Sequence, residues 1–286
     1  MDLFLQTLVS GIMTGGIYAI IALGLTLIFG VMRIINMSHG EFLMIGMYIS
    51  YFSYTILHID PFISILISAP LTFALGAIIY RFIVSKSGNE ENSLILTAGV
   101  SLVLANLVLI IFSPDYRHLK VSYGTEVFRF INVSVSLPML ISFLVTIGIT
   151  VLLYWFLNRT DLGLAIRASA QEKEAAVIVG INVQRIAMIT FGIGASFAAT
   201  SGTLLAPVLY TYPTIGTLFL VKAFVVVVLG GMGSIEGALL GGIILGATES
   251  LGSVYISTGM TDAFGLVLFI LILLLKPSGL FGAAAK

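Results

Sequence analysis

Nine long apolar segments, separated by short polar turns, constrain the fold of this chain more than any other feature. A run of about 18 or more apolar residues is long enough to cross a bilayer as a helix. The sequence therefore predicts an all-α, polytopic membrane helix bundle of about eight or nine transmembrane helices, organised as a single domain over residues 1–286. The segments are 3–31, 41–57, 61–83, 93–113, 138–157, 185–206, 216–230, 236–255 and 262–276.

The composition excludes several classes of function. Only 9% of the residues are charged and the net charge is zero, so no general attraction to nucleic acid is expected. The chain has no Cys, its three His are far apart, and it lacks a Gly-x4-Gly-Lys-Ser/Thr phosphate loop. We therefore expect no catalytic site, no metal site and no nucleotide bound by this chain. The first segment follows a start without basic residues, so we interpret it as a retained span and not a cleaved signal peptide.

The distribution of Lys and Arg predicts which way the helices run. Basic residues favour the cytoplasmic side of a membrane. One side of the predicted bundle has three of them, Arg117, Lys120 and Arg129. The other side has nine, which places the N-terminus outside and the C-terminus in the cytoplasm. These are Arg33, Arg81, Lys86, Arg159, Arg167, Lys173, Arg185, Lys276 and Lys286.

One charged segment, residues 159–185, interrupts the apolar sequence and is here named the polar island. Ser169 and Glu172 have the spacing of a capping box, which predicts that Ser169 begins a helix. Gly180 stands where a left-handed residue ends one. The sequence thus predicts one helix over 170–179. Two roles are open for it: an amphipathic helix on lipid headgroups, or a rigid element that docks onto a partner.

The polar residues inside or beside the spans admit alternatives. Glu41 follows Ser38 with the spacing of a second capping box, and its rival role is a proton relay. Glu249 lies mid-span, where an ionisable group is costly; it either lines a path or pairs with Lys222 or with a partner subunit. Asn106 is expected to hold helices together by hydrogen bonds.

Two further features concern packing and the outer face. Pairs of glycines four residues apart, Gly11/Gly15, Gly237/Gly241 and Gly242/Gly246, favour close contact between helices. Residues 114–136 form the only long external segment, and its aromatic and charged residues suit a small hairpin or a surface helix.

Several separated motifs together resemble one family of transport proteins. The stretch Glu174-Ala175-Ala176, followed by Gly180, resembles the EAA loop of ABC importer permeases. Further motifs resemble the branched-chain amino acid (LIV-type) permeases, specifically their smaller H-type member. These are Asn36 to Phe42 with Gly46 and Tyr48, Thr97 to Ser101, Ser113 to Asp115, Gly163 to Ala176 followed by Gly180 to Asn182, Gly230 to Ile235 with Gly237, Gly241 and Gly242, and Lys276 to Gly282. The sequence departs from the broader pattern by lacking Ile-x-Leu-Pro after Gly180, and by having Glu236 where Pro is expected.

The resemblance implies a permease subunit of a binding-protein-dependent ABC importer in a bacterial inner membrane. Its partners would be a second permease chain (commonly a longer sister in a heterodimer), two cytoplasmic ATPase subunits that hold ATP-Mg, and an external solute-binding protein. The loop 158–185 would carry the coupling helix that fits the ATPase subunit. The coupling residues would be Ser169, Glu172, Glu174, Ala175, Ala176 and Gly180.

Polar residues in the other motifs and spans are the candidates for the translocation path. They are Asn36, His39, Thr97, Ser101, Asn106 and Glu249. A rival hypothesis from another class is a stand-alone ion-coupled secondary transporter or channel for a small polar solute, working through Glu249, Lys222 and Glu41. It explains the intramembrane charges and leaves the polar island without a role.

Overall fold

The protein is described by a computed structural model that covers residues 2–130 and 133–281. Two short antiparallel strands, β1 (Val127–Phe130) and β2 (Val133–Ser136), are the only sheet in this part of the chain. All other regular structure is helical. The helices are α1 (Asp2–Met32), α2 (His39–Leu57), α3 (Ile65–Phe82), α4 (Glu90–Phe112), α5 (Leu137–Arg159), α6 (Asp161–Gln171), α7 (Lys173–Ile178), α8 (Val183–Leu205), α9 (Ile215–Gly230), α10 (Ile235–Tyr255) and α11 (Thr261–Leu275), with single 3-10 turns at Val84–Lys86 and Thr258–Met260.

The helix boundaries agree with the nine predicted apolar segments to within a few residues. Seven of the described helices are long and apolar enough to cross a membrane, namely α1, α3, α4, α5, α8, α10 and α11 extended back to Thr258. The two remaining segments form α2 and the shorter α9. With 16 residues, α9 is about 24 Å long at 1.5 Å per residue, which is less than the ~30 Å hydrocarbon core. The protein is therefore a polytopic helical membrane bundle, as the sequence predicted.

The bundle has two distinct ends, which we name after their landmarks. At the hairpin end, β1 and β2 pair in register from Val127 opposite Ser136 to Phe130 opposite Val133, so the hairpin alternative for residues 114–136 is confirmed. The side chain of Gln6 near the start of α1 donates to the Ser134 carbonyl at 2.6 Å. Residues 131–132 at the tip lie outside the described part. At the island end lie α6, α7 and the turns that join α3 to α4 and α9 to α10.

The centre of the bundle is formed by α1 and α8. From Ile17 to Ile28, α1 is almost completely buried, and α8 packs against α1, α2 and α3. Glycines allow the closest approach: Gly15 of α1 lies against the backbone of Gly242 in α10, and Gly11 lies against Gly246. The predicted small-residue pairs Gly11/Gly15 and Gly242/Gly246 thus face one another, as expected where helices associate by backbone proximity.

The segment that joins α1 to α2 folds back into the bundle, which the sequence did not predict. Residues 33–36 are non-helical, and the Nε2 atom of His39 lies 2.9 Å from the carbonyl oxygen of Ile21, well inside α1 and about three turns before its end. The N-terminus of α2 therefore lies at mid-bundle and not at the membrane surface. Irregular backbone at this depth must be shielded and hydrogen-bonded by other parts of the protein. Thr97 of α4 does this, since its hydroxyl accepts from the Met37 amide at 3.1 Å.

The prediction of one helix over 170–179 is wrong, because two helices divide the polar island. The Thr160 hydroxyl accepts from the Gly163 amide at 3.0 Å and caps α6, which then runs to Gln171. Ser169 therefore lies inside α6, buried, and does not act as an N-cap. Glu172 is extended, with φ −152° and ψ 104°, and separates α6 from α7. The upstream cap at Thr160 sets the helix start, so the capping-box spacing of Ser169 and Glu172 has no structural role.

Candidate functional sites

The surface of α7 at the island end is apolar and exposed. Val177, Ile178 and Val179 are 58%, 84% and 74% exposed, although they follow the charged Glu172–Glu174 segment. Ala176 on the opposite side is buried and holds the helix against the bundle. Ala176, one of the coupling residues that the resemblance implies, is therefore turned inward, and Ile178 is presented beside Val177 and Val179.

The C-terminal end of α7 is closed and joined directly to α8. Gly180 has a φ of +86°, its amide donates to the Val177 carbonyl at 3.0 Å, and the Ile181 amide donates to the Ala176 carbonyl at 3.0 Å. These two bonds form a Schellman motif, which requires a left-handed residue at the glycine position. The side chain of Asn182 then accepts from the Arg185 amide at 3.0 Å and caps α8. Only four residues, 179–182, separate a surface helix from a central one, and each of the four takes part in a hydrogen bond.

A second candidate site lies around the buried start of α2. The Ser101 hydroxyl of α4 donates to Oε1 of Glu41 at 3.1 Å, so the carboxylate binds a neighbouring helix. The capping-box prediction for Ser38 and Glu41 is therefore wrong: Ser38 donates its hydroxyl to Oδ1 of Asn36 at 2.7 Å and makes no side-chain cap. The cause is the mid-bundle position of this helix start, which brings α4 within reach of Glu41.

Four predicted path residues meet at this site. Asn36 and His39 are fully buried on the connector and the first turn of α2, and Thr97 and Ser101 contact that region from α4. Three polar atoms here have no hydrogen-bond partner within the described ranges: Oε2 of Glu41, Nδ2 of Asn36 and Nδ1 of His39. Buried polar groups normally have a hydrogen-bond partner, so three unpartnered polar atoms in one place are unusual. Whether these residues line a path stays a prediction.

Glu249, another predicted path residue, belongs to a separate ionic cluster. The Lys222 ammonium of α9 donates to Oε1 of Glu249 at 2.6 Å and to Oδ1 of Asp262 at 2.8 Å. The Tyr18 hydroxyl of α1 donates to the other Glu249 oxygen at 3.0 Å. Of the alternatives open for Glu249, pairing with Lys222 is the one present in the structure. Sequence reasoning missed Tyr18 and Asp262, for which no local pattern existed.

Asn106, the last predicted path residue, is placed apart from both clusters. Its side chain is exposed on α4 and donates to the Leu102 carbonyl of the same helix at 2.7 Å. Among the residues that the structure describes, Asn106 makes no hydrogen bond to another helix, so the expected interhelical bond is not formed there. Over residues 2–130 and 133–281, no group of three or more His, Asp or Glu side chains is placed to hold a metal ion.

Comparison with known proteins identifies related sequences over nearly the whole chain. A family model described as the permease component of the branched-chain amino acid transport system matches residues 7–275. The high-affinity branched-chain amino acid transport permease BraD of Pseudomonas aeruginosa is 35% identical, over 98% of this chain and 96% of its own length. LivH of Escherichia coli, a permease of the same description, is 32% identical with the same coverage. A probable LivH from Methanocaldococcus jannaschii is 27% identical over 96% and 91%.

One solved structure supports the fold independently of these sequences. A chain of the structure of PsaBC from Streptococcus pneumoniae in complex with Fab superposes with a TM-score of 0.51, covering 97% of this chain and 94% of its own. The two sequences are only 15% identical, so this likeness concerns the fold alone.

Proposed function

The chain belongs to the family of branched-chain amino acid transport permease components, and we propose that it is the membrane-spanning subunit of an ABC importer for branched-chain or related amino acids. In this proposal a binding protein delivers the solute from outside, and separate ATPase subunits hydrolyse ATP-Mg in the cytoplasm. The chain itself is a membrane permease component and supplies the passage. A second permease chain, commonly a longer sister in this family, would complete the passage.

The observation that carries the proposal is the exposed apolar surface of α7. Val177, Ile178 and Val179 lie outside the spanning helices, in a segment that also has Lys173 and Glu174. A contiguous exposed apolar patch rimmed by charge marks an interaction site on a water-facing surface. An ATPase subunit docking here would bury these three side chains and meet Glu172 and Glu174 at the rim. If this surface instead rested on lipid headgroups, the hydrogen-bonded junction that fixes α7 relative to α8 would have no function.

The junction between α7 and α8 suggests how ATP-driven motion would reach the membrane. Gly180 and Asn182 fix the direction of α7 relative to α8 through the Schellman motif and the N-cap. Because α8 packs against α1, α2 and α3, a displacement of α7 would be passed to the centre of the bundle. A flexible loop of the same length would absorb such a displacement. The exposed Ala175 would allow close approach of the ATPase subunit, while the buried Ala176 would hold α7 against the bundle and the buried Ser169 would support α6 beneath the docking surface.

The distribution of basic residues supports the orientation that docking requires. Arg159, Arg167, Lys173 and Arg185 all belong to the polar island, and Lys276 follows the last helix. By the positive-inside rule, the island end would face the cytoplasm and the hairpin end the outside. The N-terminus would then be outside and the C-terminus inside. Lys286, counted with this group, lies outside the described residues. The whole chain, 1–286, would act as one permease domain with its coupling loop at 158–185 and its external segment at 114–136.

Copurification tests this proposal directly. The chain would be expressed with its neighbouring ATPase and permease subunits, and the ratio of subunits measured after detergent extraction. We expect stoichiometric ATPase subunits with the wild type, and their loss with Ile178→Asp, Glu174→Arg or Gly180→Pro. Phe128→Asp at the hairpin, 54% exposed, is the matched control that should retain them. Insertion is checked by yield and elution volume. Solute uptake by the isolated chain, driven by an ion gradient, would instead favour the secondary-transporter alternative.

A further inference from the structure

An apolar groove between α2 and α4 opens on the lateral surface of the bundle. Its volume is about 460 Å³, and its lining is apolar apart from Ser53 and the hydroxyl group of Tyr48. Ile56 and Leu57, which line its hairpin end, are 67% and 60% exposed. Because α4 is long and apolar enough to cross the membrane, a ligand that enters from this side comes from the bilayer.

The length of the groove matches the depth of one leaflet. Along α2 it extends from Ile45 to Leu57, twelve residues that rise by about 18 Å. Half of the hydrocarbon core is ~15 Å thick. The length and the polarity of the groove therefore both suit one acyl chain that lies along α2.

A cation is fixed at the hairpin end of this groove. The Arg117 guanidinium lies over the rings of Tyr51 and Phe52, at 5.4 and 5.6 Å from their centroids. Its Nη2 donates to the carbonyl of Phe112 at 2.6 Å, and Phe52 and Phe112 both line the groove. Two backbone hydrogen bonds with Thr211, of 2.9 and 2.8 Å, hold the main chain of Arg117 in place. The charge is therefore positioned by the fold.

This guanidinium has no anionic partner in the described part of the chain. No carboxylate there lies within 4.0 Å of it, since both ion pairs of the described residues involve Lys222. Asp115, the acid nearest to it in the sequence, is exposed. The Nε atom of Arg117 is buried and has no hydrogen-bond partner among the same residues. Buried charges are normally paired, and a guanidinium binds a phosphate group especially well.

A second donor without a partner lines the groove close to this charge. Tyr48 is 3% exposed, and its hydroxyl makes no hydrogen bond within residues 2–130 and 133–281. The charges of Arg117 and Asp115 both act on this hydroxyl. Asp115 opposes an anion there, but its side chain is in water, where salt screens it. A phenol and a guanidinium are thus available to one anionic group at the hairpin end of an apolar groove.

We propose that this is a phospholipid site, with the phosphate group at Nε of Arg117 and the Tyr48 hydroxyl, and one acyl chain in the groove. The lipid holds the second half of α4 against α2. The hydrogen bonds of α4 to other segments come from its first half, through Ser93, Thr97 and Ser101. The site depends neither on the solute nor on the ATPase subunits, so it goes beyond the proposed function.

Native mass spectrometry of the complex purified with this chain tests the headgroup contacts. Palmitoyl-oleoyl phosphatidylglycerol is added to the delipidated complex, and diacylglycerol with the same two chains serves as the probe without phosphate. We expect the phospholipid to bind and the diacylglycerol not to. Tyr48→Phe keeps the ring and removes the hydroxyl; it and Arg117→Gln should each weaken phospholipid binding about 10- to 100-fold, as loss of a hydrogen bond to a charged group predicts. Tyr51→Phe, outside the groove lining, and Arg129→Gln, an exposed cation of β1, are the matched controls.

A second pair of variants tests the groove itself. Ile49→Trp fills it and should abolish the bound phospholipid, whereas Ile110→Trp, 78% exposed on α4 and outside the lining, should leave it bound. Equal binding of phospholipid and diacylglycerol would overturn the role of Arg117 and Tyr48. Phospholipid binding that neither Tyr48→Phe nor Ile49→Trp changes would overturn the site. The same conclusion would follow if Ile49→Cys formed crosslinks to a second permease chain, because that chain and not a lipid would then cover the groove.

Discussion

Lys222 and Glu249 form an ion pair inside the bundle, with 2.6 Å between the ammonium nitrogen and the carboxylate oxygen. Both side chains are less than a tenth exposed, whereas Asp262, the second partner of Lys222, is 61% exposed. The pair joins α9 to α10, and Tyr18 ties it to α1. A charge at this depth is tolerated when it is paired and hydrogen-bonded. This arrangement explains how a Lys and a Glu coexist in two otherwise apolar helices.

Breaking this pair should destabilise the protein strongly. Glu249→Leu leaves the buried Lys222 with only the exposed Asp262, and removing one partner of a buried pair typically costs about 3–5 kcal/mol. Replacing both, as Lys222→Met with Glu249→Leu, should cost clearly less than the sum of the single changes. Thermal unfolding of the detergent-purified variants measures the cycle, with Glu236→Gln, an exposed acid at the start of α10, as the control. If the loss of stability in the double variant equals the sum of the losses in the single variants, Lys222 and Glu249 do not stabilise each other.

The crossing of α1 and α10 should tolerate no side chain at its glycines. In Gly15→Ala the added methyl group would overlap the backbone of Gly242 and push the helices apart. Overpacking of this kind costs about 1–3 kcal/mol. At Gly148 of α5 nothing lies within 4 Å of an added Cβ, so Gly148→Ala should be neutral or slightly stabilising. We expect the melting temperature of Gly15→Ala to fall and that of Gly148→Ala to stay the same or rise. A larger fall in the melting temperature of Gly148→Ala than in that of Gly15→Ala would contradict the close crossing of α1 and α10.

Substitution of Thr160 and of Ser169 tests whether the polar island holds two helices, as in the structure, or one helix capped by Ser169, as the sequence predicted. Thr160→Ala removes the hydroxyl that accepts from the Gly163 amide, and loss of an N-cap costs about 1 kcal/mol. Amides of residues 161–163 should then exchange hydrogen faster, whereas Ser169→Ala should leave residues 171–173 unchanged. Hydrogen exchange read by mass spectrometry reports both. Faster hydrogen exchange at residues 171–173 in Ser169→Ala would instead support the single helix that the capping-box spacing predicted.

What the sequence could predict here depended on short-range patterns. Apolar runs located every spanning helix, and the left-handed end of α7 followed from Gly180 alone, because both signals lie within one element. The contacts of Glu41 with Ser101 and of Lys222 with Asp262 join residues 60 and 40 positions apart. Their existence depends on how the helices pack, and especially on the connector at 33–38 that places α2 at mid-bundle. A local capping pattern at Ser38 could not reveal that Glu41 would meet another helix.

The segment 114–126 at the hairpin end should show a distinct alkaline titration. The Tyr123 hydroxyl donates to Oδ2 of Asp60 at 2.6 Å. Burial, followed by this hydrogen bond and the charge of Asp60, raises the pKa of Tyr123 above the ordinary value of 10.0. Because the folded state holds the proton more tightly, the stabilisation is fully present below the unfolded pKa of about 10 and is lost as the pH rises through the raised folded pKa.

The measurement is the ultraviolet absorbance of phenolate as the pH is raised, taken as the difference between the wild type and Tyr123→Phe. We expect this difference to appear only well above pH 10, together with detachment of the 114–126 segment from the turn after α2. Asp60→Asn is the matched variant: it removes the charge and keeps the burial, so the difference should appear at a lower pH than in the wild type. A difference that begins at the ordinary tyrosine value would show that Tyr123 is in water and that the contact with Asp60 does not form.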